Sequence, residues 1–191
     1  MLINLPNTLT LSRIAAIPVL VALFYVQGDV ACWIAAAVFG AACITDYLDG
    51  HIARSWSQMS AFGRFLDPIA DKLLVAGVIL MLVYSRRVDG LVVLPALIIL
   101  CREILVSGLR EFLAGLHVGL PVSRLAKWKT LLQMLALGFL IVGDAGPAGF
   151  PTRLIGEAGL WVAALLTLVT GYDYLQTGLR HMAADPPDGA A

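Results

Sequence analysis

The sequence contains little charge and few of the residues from which soluble enzymes build their usual sites. Only 14% of its 191 residues are Asp, Glu, Lys or Arg, whereas soluble domains average about 25%. The three cysteines occur inside apolar runs without metal-ligand spacing, and the three histidines form no ligand set. There is no glycine-rich phosphate loop, HExxH motif or Ser-His-Asp arrangement. The net charge is zero, so no polyanion such as a nucleic acid is indicated as a partner.

The low content of charged residues is matched by a high content of apolar residues. They make up 60% of the chain, and the mean hydropathy is +0.87. Since one spanning helix needs about 20 apolar residues, the length accommodates roughly six spans and little else. The sequence therefore predicts an all-α integral membrane protein with six transmembrane helices in one domain, residues 1–180, and a disordered tail at 181–191. The predicted spans are about 9–27, 30–44, 64–84, 91 onward, 130–143 and 154–175.

The distribution of Lys and Arg predicts the orientation. With six spans, both termini and the even-numbered connections lie on one side of the membrane. That side holds ten basic residues, and the other holds only Arg86, Arg87 and Arg153. Because cytoplasmic loops are enriched in Lys and Arg, the first side is expected to be cytoplasmic, as in a bacterial inner membrane.

Four aspartates are concentrated where the second helix is predicted to end and the third to begin, two in the last turns of the second and two in the first turns of the third. Asp46 and Asp49 are spaced i,i+3, Asp67 and Asp71 are spaced i,i+4, and each pair falls on one helical face. Carboxylates near hydrocarbon are costly, and their oxygens suit hard cations. Four of them predict a site for two divalent cations, Mg²⁺ or Mn²⁺. An alternative for Asp67 is that it caps the third helix, with Pro68 at the first helical position.

Small and polar residues surround these aspartates. Gly50 and Gly63 lack side chains, so a bulky ligand group could approach the backbone beside the metals, although helix packing or a turn is the alternative. Ala53 and Arg54 extend that surface, and Ser60 offers a hydroxyl. Arg54 is either a phosphate-orienting group or an ordinary flanking cation.

A second charged group follows in the fourth and fifth spans. Arg102 and Arg110 are eight residues apart and share a helical face, and Lys127 follows in the next basic turn. Ion pairing with Glu103 and Glu111 would explain the arginines simply. The alternative is a cationic pocket for an anionic group, because Arg grips phosphate through paired hydrogen bonds. Metals on one side and cations on the other predict phosphoryl-type transfer between two phosphate-containing substrates.

The aspartate segment resembles the signature of the CDP-alcohol phosphotransferase family. The matching residues are Asp46-x-x-Asp49-Gly50-x-x-Ala53-Arg54, then Gly63, Asp67 and Asp71. The resemblance implies the fold of that family, in which six transmembrane helices hold a two-metal site at the cytoplasmic face of a homodimer. It implies that the four aspartates bind metal, that Asp71 is also the general base, and that Gly50, Ala53 and Arg54 meet the CDP group. It further suggests that Asn7 and Thr10 reach the nucleotide.

Three further stretches are similar to the phosphatidylglycerophosphate synthase branch of that family: LPNTLTLSR at 5–13, CREILVSGLREFLAG at 101–115 and SRLAKWKT at 123–130. The resemblance implies transfer of a phosphatidyl group from CDP-diacylglycerol to sn-glycerol 3-phosphate. A sister enzyme that uses inositol phosphate or serine is the nearest alternative. A divalent-cation transporter is a remote one, and it predicts carboxylates at mid-membrane depth on several spans.

Overall fold

The computed structural model describes residues 5–55, 61–115 and 124–184, and these residues form six long helices. They are α1 (Leu5–Tyr25), α2 (Asp29–Ser55), α3 (Ala61–Tyr84), α4 (Val93–Gly115), α5 (Arg124–Val142) and α6 (Thr152–Ala184). Short 3₁₀ turns precede α4 and follow α5, and no strand occurs in these ranges. The prediction of an all-α architecture is confirmed.

The lengths of the helices fit a multi-pass membrane protein. Five stretches in the described ranges are long and apolar enough to cross a bilayer: Asn7–Tyr25, Asp29–Asp46, Gly90–Gly115, Lys127–Ala145 and Thr152–Gln176. Large apolar side chains on these stretches are exposed, including Leu97 and Leu165. Such exposure is expected of a helix surface that faces lipid rather than water. Five of the six predicted spans are thus confirmed. The third helix carries Asp67, Asp71 and Lys72 in its first half, and its span stays a prediction.

Several helices extend past the apolar runs that predicted them. The second continues to Ser55, and the sixth continues to Ala184, where a disordered tail was expected from residue 181. Residues 185–191 lie outside the described ranges. Backbone hydrogen bonds do not depend on side-chain polarity, so a helix continues where its hydropathy falls.

The helices form a bundle in which α1 packs against α2 and α3, α5 against α2 and α6, and α4 against α6 and α3. Small residues bring α5 and α6 close together, since a Cβ built on Gly156 would lie 2.7 Å from the Leu140 Cγ. The buried core between the helices includes Leu20, Phe39, Leu74, Leu137 and Leu160, among others.

Polar side chains join all six helices at one end of this bundle. The connections are ion pairs or hydrogen bonds between Arg13 and Asp46, Arg13 and Asp67, Lys72 and Glu103, Lys129 and Glu103, and Arg102 and Thr170. The other end has its own polar contacts: Arg87 Nη2 donates to the Cys32 sulfur at 2.9 Å, and an Arg153 nitrogen lies 3.3 Å from an Asp89 oxygen. The candidate site lies at the first end.

Candidate active site

A cavity of about 480 Å³ opens at the polar end of the bundle, among α2, α3 and α4. Its lining combines three of the four aspartates predicted to bind metal with two of the three cations predicted to bind an acceptor. Those five residues are Asp46, Asp67, Asp71, Arg102 and Arg110. The carboxylates thus occur together at one end of the molecule, which does not match the mid-membrane distribution expected of a cation transporter.

The first two carboxylates are held by residues of α1. The Arg13 Nη1 lies 2.7 Å from the Asp46 Oδ1 and 3.7 Å from the Asp67 Oδ1, and the arginine side chain is fully buried. Thr10 donates a hydrogen bond of 3.0 Å to the same Asp67 oxygen. This arrangement fixes carboxylates from two helices relative to each other. Sequence reasoning counted Arg13 only toward orientation, although a cation inside an apolar span signals a nearby acidic partner.

The i,i+4 pair on α3 faces the cavity as its spacing predicts. Asp67 and Asp71 both line it, and the Asp71 Oδ2 lies 2.9 Å from the Lys72 Nζ. The alternative that Asp67 caps this helix is wrong, because α3 already begins at Ala61 and Pro68 lies inside it. Both carboxylates are therefore presented from the body of a helix.

The two-metal site stays a prediction. In the described ranges, no three Asp, Glu, His or Cys side chains are close enough to hold an ion by themselves. The description of Asp49 is limited to its backbone in α2, so the predicted set of four is incomplete here. The donor chemistry fits, because Asp46, Asp67 and Asp71 direct carboxylate oxygens to one cavity and hard divalent cations prefer such ligands.

The residues predicted to contact the nucleotide are described to different extents. Asn7 and Thr10 lie on α1 and are both buried, and Thr10 reaches the aspartate cluster through Asp67. Gly63 lies in the first turn of α3 and is half-buried. Of the others, Gly50, Ala53 and Arg54 belong to the last turns of α2, where only the backbone is described, and Ser60 lies outside the described residues.

The predicted cations divide into two inside the cavity and one outside its lining. Arg102 and Arg110 both line the cavity, and the Arg102 Nη1 lies 3.3 Å from the Glu103 Oε1, so ion pairing accounts for part of the charge of Arg102. Lys127 is exposed and is not a lining residue. Its near neighbour Lys129 is buried instead.

Glu103 connects more cations than its place in the sequence suggested. Its carboxylate pairs with Lys129 on α5 and with Arg102 beside it, and the Glu103 Oε2 lies 3.4 Å from the Lys72 Nζ on α3. Lys72 also pairs with Asp71, so cations outnumber carboxylates only within this cluster, which suits an anionic ligand bound against it. The contributions of Lys72 and Lys129 were missed by sequence reasoning.

We expect replacement of Glu103 by glutamine to destabilise the protein. The substitution preserves shape but removes the counter-charge that Arg102 and the buried Lys129 share, whereas Lys72 keeps its ion pair with Asp71. Removing one member of a buried ion-pair network costs about 3–5 kcal/mol. Detergent-induced unfolding followed by tryptophan fluorescence measures the free energy of unfolding.

Glu157→Gln is the matched control for this prediction. That glutamate pairs with Arg153 at the other end of the bundle, where the arginine side chain is 36% exposed. An exposed i,i+4 pair contributes only about 0.3–0.5 kcal/mol, so a small effect is expected. Equal effects of the two substitutions would show that Glu103 is not the centre of a buried network.

Comparison with known proteins gives a consistent result. The family described as CDP-alcohol phosphatidyltransferase matches residues 3–169. A protein of Rickettsia bellii (strain RML369-C), named CDP-diacylglycerol–glycerol-3-phosphate 3-phosphatidyltransferase, is 53% identical over 91% of this chain and 94% of its own. A protein of the same name from Pseudomonas fluorescens is 41% identical over 95% of this chain and 93% of its own. Another, from Cereibacter sphaeroides, is 36% identical over 94% of this chain and 97% of its own.

Proposed function

The chain belongs to the CDP-alcohol phosphatidyltransferase family, and we propose that it transfers the phosphatidyl group of CDP-diacylglycerol to sn-glycerol 3-phosphate. The products are phosphatidylglycerophosphate and CMP, so the enzyme belongs to phospholipid biosynthesis. The relatives named above carry the name of this reaction over nearly their whole length. The observation that carries the proposal is that three aspartates and two arginines line one cavity.

The two halves of the cavity suit two substrates that both carry phosphate. The half formed by α4 contains Arg102 and Arg110, together with Glu103 and Glu111, and lies close to the cation cluster around Glu103. A phosphomonoester carries close to two negative charges at neutral pH, and paired hydrogen bonds from guanidinium groups complement it. We assign the phosphate of the acceptor to this half, with Lys127 as a further candidate contact from α5.

The acidic half suits the liponucleotide. We assign two divalent cations, Mg²⁺ or Mn²⁺, to Asp46, Asp49, Asp67 and Asp71; when bound, they would neutralise charge on the pyrophosphate and on the departing CMP. Arg13 and Thr10 hold two of these carboxylates in place before any ligand arrives. The CDP group would lie beside Gly50, Ala53, Arg54, Ser60 and Gly63, with Asn7 and Thr10 contributing from α1.

Proton transfer is assigned to Asp71. The glycerol 3-phosphate hydroxyl oxygen attacks the lipid-side phosphorus, the bond from this phosphorus to the bridging oxygen breaks, and CMP leaves with the bonding electrons. The Asp71 carboxylate receives the hydroxyl proton. A carboxylate is a weak base for a free alcohol, but the hydroxyl proton becomes acidic as the new bond forms. Lys72, 2.9 Å from the Asp71 Oδ2, holds the carboxylate in the cavity wall.

We place this multi-pass protein in the bacterial inner membrane, with the cavity and both termini toward the cytoplasm. The excess of Lys and Arg on that side supports this orientation, and CMP and glycerol 3-phosphate are water-soluble. We also propose a homodimer, as the family resemblance implies. Cysteine cross-linking in membranes tests the dimer, and labelling of single cysteines from either side tests the orientation.

CMP release with defined acceptors tests the proposed function. Purified protein in micelles with CDP-diacylglycerol and Mg²⁺ is expected to release CMP with glycerol 3-phosphate. Glycerol, which lacks the phosphate, is expected to react at least about 100-fold more slowly, since it forgoes two charge-assisted contacts. Faster release with serine or an inositol phosphate would indicate the sister enzyme. Metal flux into vesicles without CMP release would indicate a transporter.

We expect Arg110→Ala to raise the KM for glycerol 3-phosphate about 10-fold, which is the loss of one charge-assisted contact. The KM for CDP-diacylglycerol should change by less than about twofold, because its ligands lie across the cavity. Steady-state kinetics with each substrate varied in turn measures both constants. Arg153→Ala, at the other end of the bundle, is the control and should change neither. A larger rise for the liponucleotide would place the acceptor elsewhere.

A further inference from the structure

The two cavity arginines are supported by one face of α6. The Arg102 Nη2 donates a hydrogen bond of 3.0 Å to the Thr170 hydroxyl oxygen. A Cβ built on Gly171 would lie 3.0 Å from the Arg102 Cγ and 3.3 Å from its Nε, so the arginine side chain crosses α6 directly over a glycine. One turn of helix beyond Thr170, the ring of Tyr174 lies 5.7 Å from the Arg102 Cζ. The Arg102 side chain therefore packs against Thr170, Gly171 and Tyr174 of α6.

Tyr174 also contacts the second arginine. Its ring centroid lies 5.5 Å from the Arg110 Cζ, and its side chain is buried, with 6% of the residue exposed. Both guanidinium groups are thus within the distance of about 6 Å at which the face of an aromatic ring attracts a cation. One buried ring thus contacts two cations of like charge.

An aromatic ring holds these cations without neutralising them. The carboxylate of Glu103 compensates part of the charge around it, whereas the ring attracts a guanidinium through its quadrupole and carries no net charge. The Arg102 side chain is 10% exposed, and its Nε is buried and has no hydrogen-bond acceptor among the described residues. The ring therefore leaves the positive charge of the two arginines in the cavity lining, where it can attract an anion.

We infer that Tyr174 is a positioning residue for the acceptor's phosphate: its ring holds Arg102 and Arg110 in the cavity lining, where both would bind one phosphate group. The inference rests on the proposed function and assigns a determinant of the same site. Tyr174 lies beyond residue 169, where the match to the family ends, so neither the aspartate signature nor that match assigns it a role.

Tyr174→Leu tests the inference, with Tyr174→Phe as the conservative variant. Leucine keeps an apolar side chain but removes the ring, and we expect the KM for glycerol 3-phosphate to rise about 10-fold. The kcat and the KM for CDP-diacylglycerol should stay within about twofold of the wild-type values. Phenylalanine keeps the ring face and should behave as the wild type does. Tyr172→Leu, an exposed tyrosine on the same helix, is the control.

The inference is overturned if Tyr174→Leu leaves the KM for glycerol 3-phosphate unchanged, or if it raises both KM values equally. It is also overturned if Tyr174→Phe loses as much as the leucine variant, because the hydroxyl would then be the active group. Tyr174→Met, which fills irregular space without a ring, replaces the leucine variant if the latter does not accumulate as folded protein. The same outcomes apply to it.

A binding measurement separates failure of the inference from failure of the proposed function. Glycerol 3-phosphate and inorganic phosphate should each raise the unfolding temperature of the wild type and of Tyr174→Phe in detergent, and of Tyr174→Leu much less. If the wild type releases no CMP with glycerol 3-phosphate but shows this pattern, the proposed function fails and the inference stands. Equal stabilisation of all three proteins overturns the inference alone. A wild type with neither response overturns both.

Discussion

Asp71→Asn is expected to lower the kcat for CMP release by about 10³-fold, within the range that a positioned general base contributes. Asparagine has nearly the shape of aspartate but cannot accept the proton of the glycerol 3-phosphate hydroxyl. Asp71 lines the cavity and is fixed at 2.9 Å from the Lys72 Nζ, so the substitution acts at a defined place. Initial rates at saturating concentrations of both substrates measure this loss.

Folding should survive that substitution. The Asp71 and Lys72 side chains are 28% and 27% exposed, and partly exposed ion pairs contribute about 1 kcal/mol or less. The unfolding temperature should therefore stay close to that of the wild type. Asp29→Asn is the matched control, because Asp29 is exposed at the start of α2. Full activity of Asp71→Asn would remove Asp71 from the mechanism, and a collapse of stability would make it a structural residue.

The fold was predictable to the extent that it depends on hydropathy. Runs of apolar residues predicted the helices in the correct order. The residues at which the helices begin and end were predicted poorly. The second helix contains Asp46 and Asp49 as predicted but continues to Ser55, and the third begins at Ala61 rather than at about residue 64. Hydropathy indicates which part of a helix faces lipid, whereas the hydrogen-bonded backbone continues into polar surroundings.

The positions of the aspartates on α3 were predictable because they depend only on spacing within one helix. The i,i+4 spacing of Asp67 and Asp71 requires a common face once the segment is helical, and both do line the cavity. Their partner Arg13 was not predictable in the same way. Its contact with Asp46 joins α1 to α2, and it depends on which helices are neighbours rather than on any spacing.

The cation side shows the same limit within a single helix. Lys127 and Lys129 are two residues apart, so they point about 200° apart around α5. One is exposed and the other is buried against Glu103. Nothing in the basic turn itself distinguishes them, because the choice depends on where α3 and α4 lie. Tyr174 was missed for a related reason: an aromatic residue in an apolar helix is ordinary until two arginines are found against it.

Removal of divalent cations is expected to abolish CMP release, and this is the second large effect. Three aspartates around one cavity repel a pyrophosphate unless positive charge accompanies it, and Arg13 compensates only part of their charge. Chelation with EDTA should reduce the rate to background, and either Mg²⁺ or Mn²⁺ should restore it. Rates are measured as CMP released over a titration of free metal.

Asp67→Asn makes that prediction specific to the cavity. The loss of one carboxylate should raise the Mg²⁺ concentration for half-maximal activity at least about 10-fold, comparable to the loss of one charge-assisted ligand contact. Asp89→Asn is the control, since Asp89 pairs with Arg153 at the other end of the bundle and should leave the titration unchanged. Activity that persists in EDTA, or equal shifts in both variants, would mean that the aspartates do not hold the cations. The cavity would then have to neutralise the pyrophosphate through Arg13, Lys72 and the arginines of α4 alone.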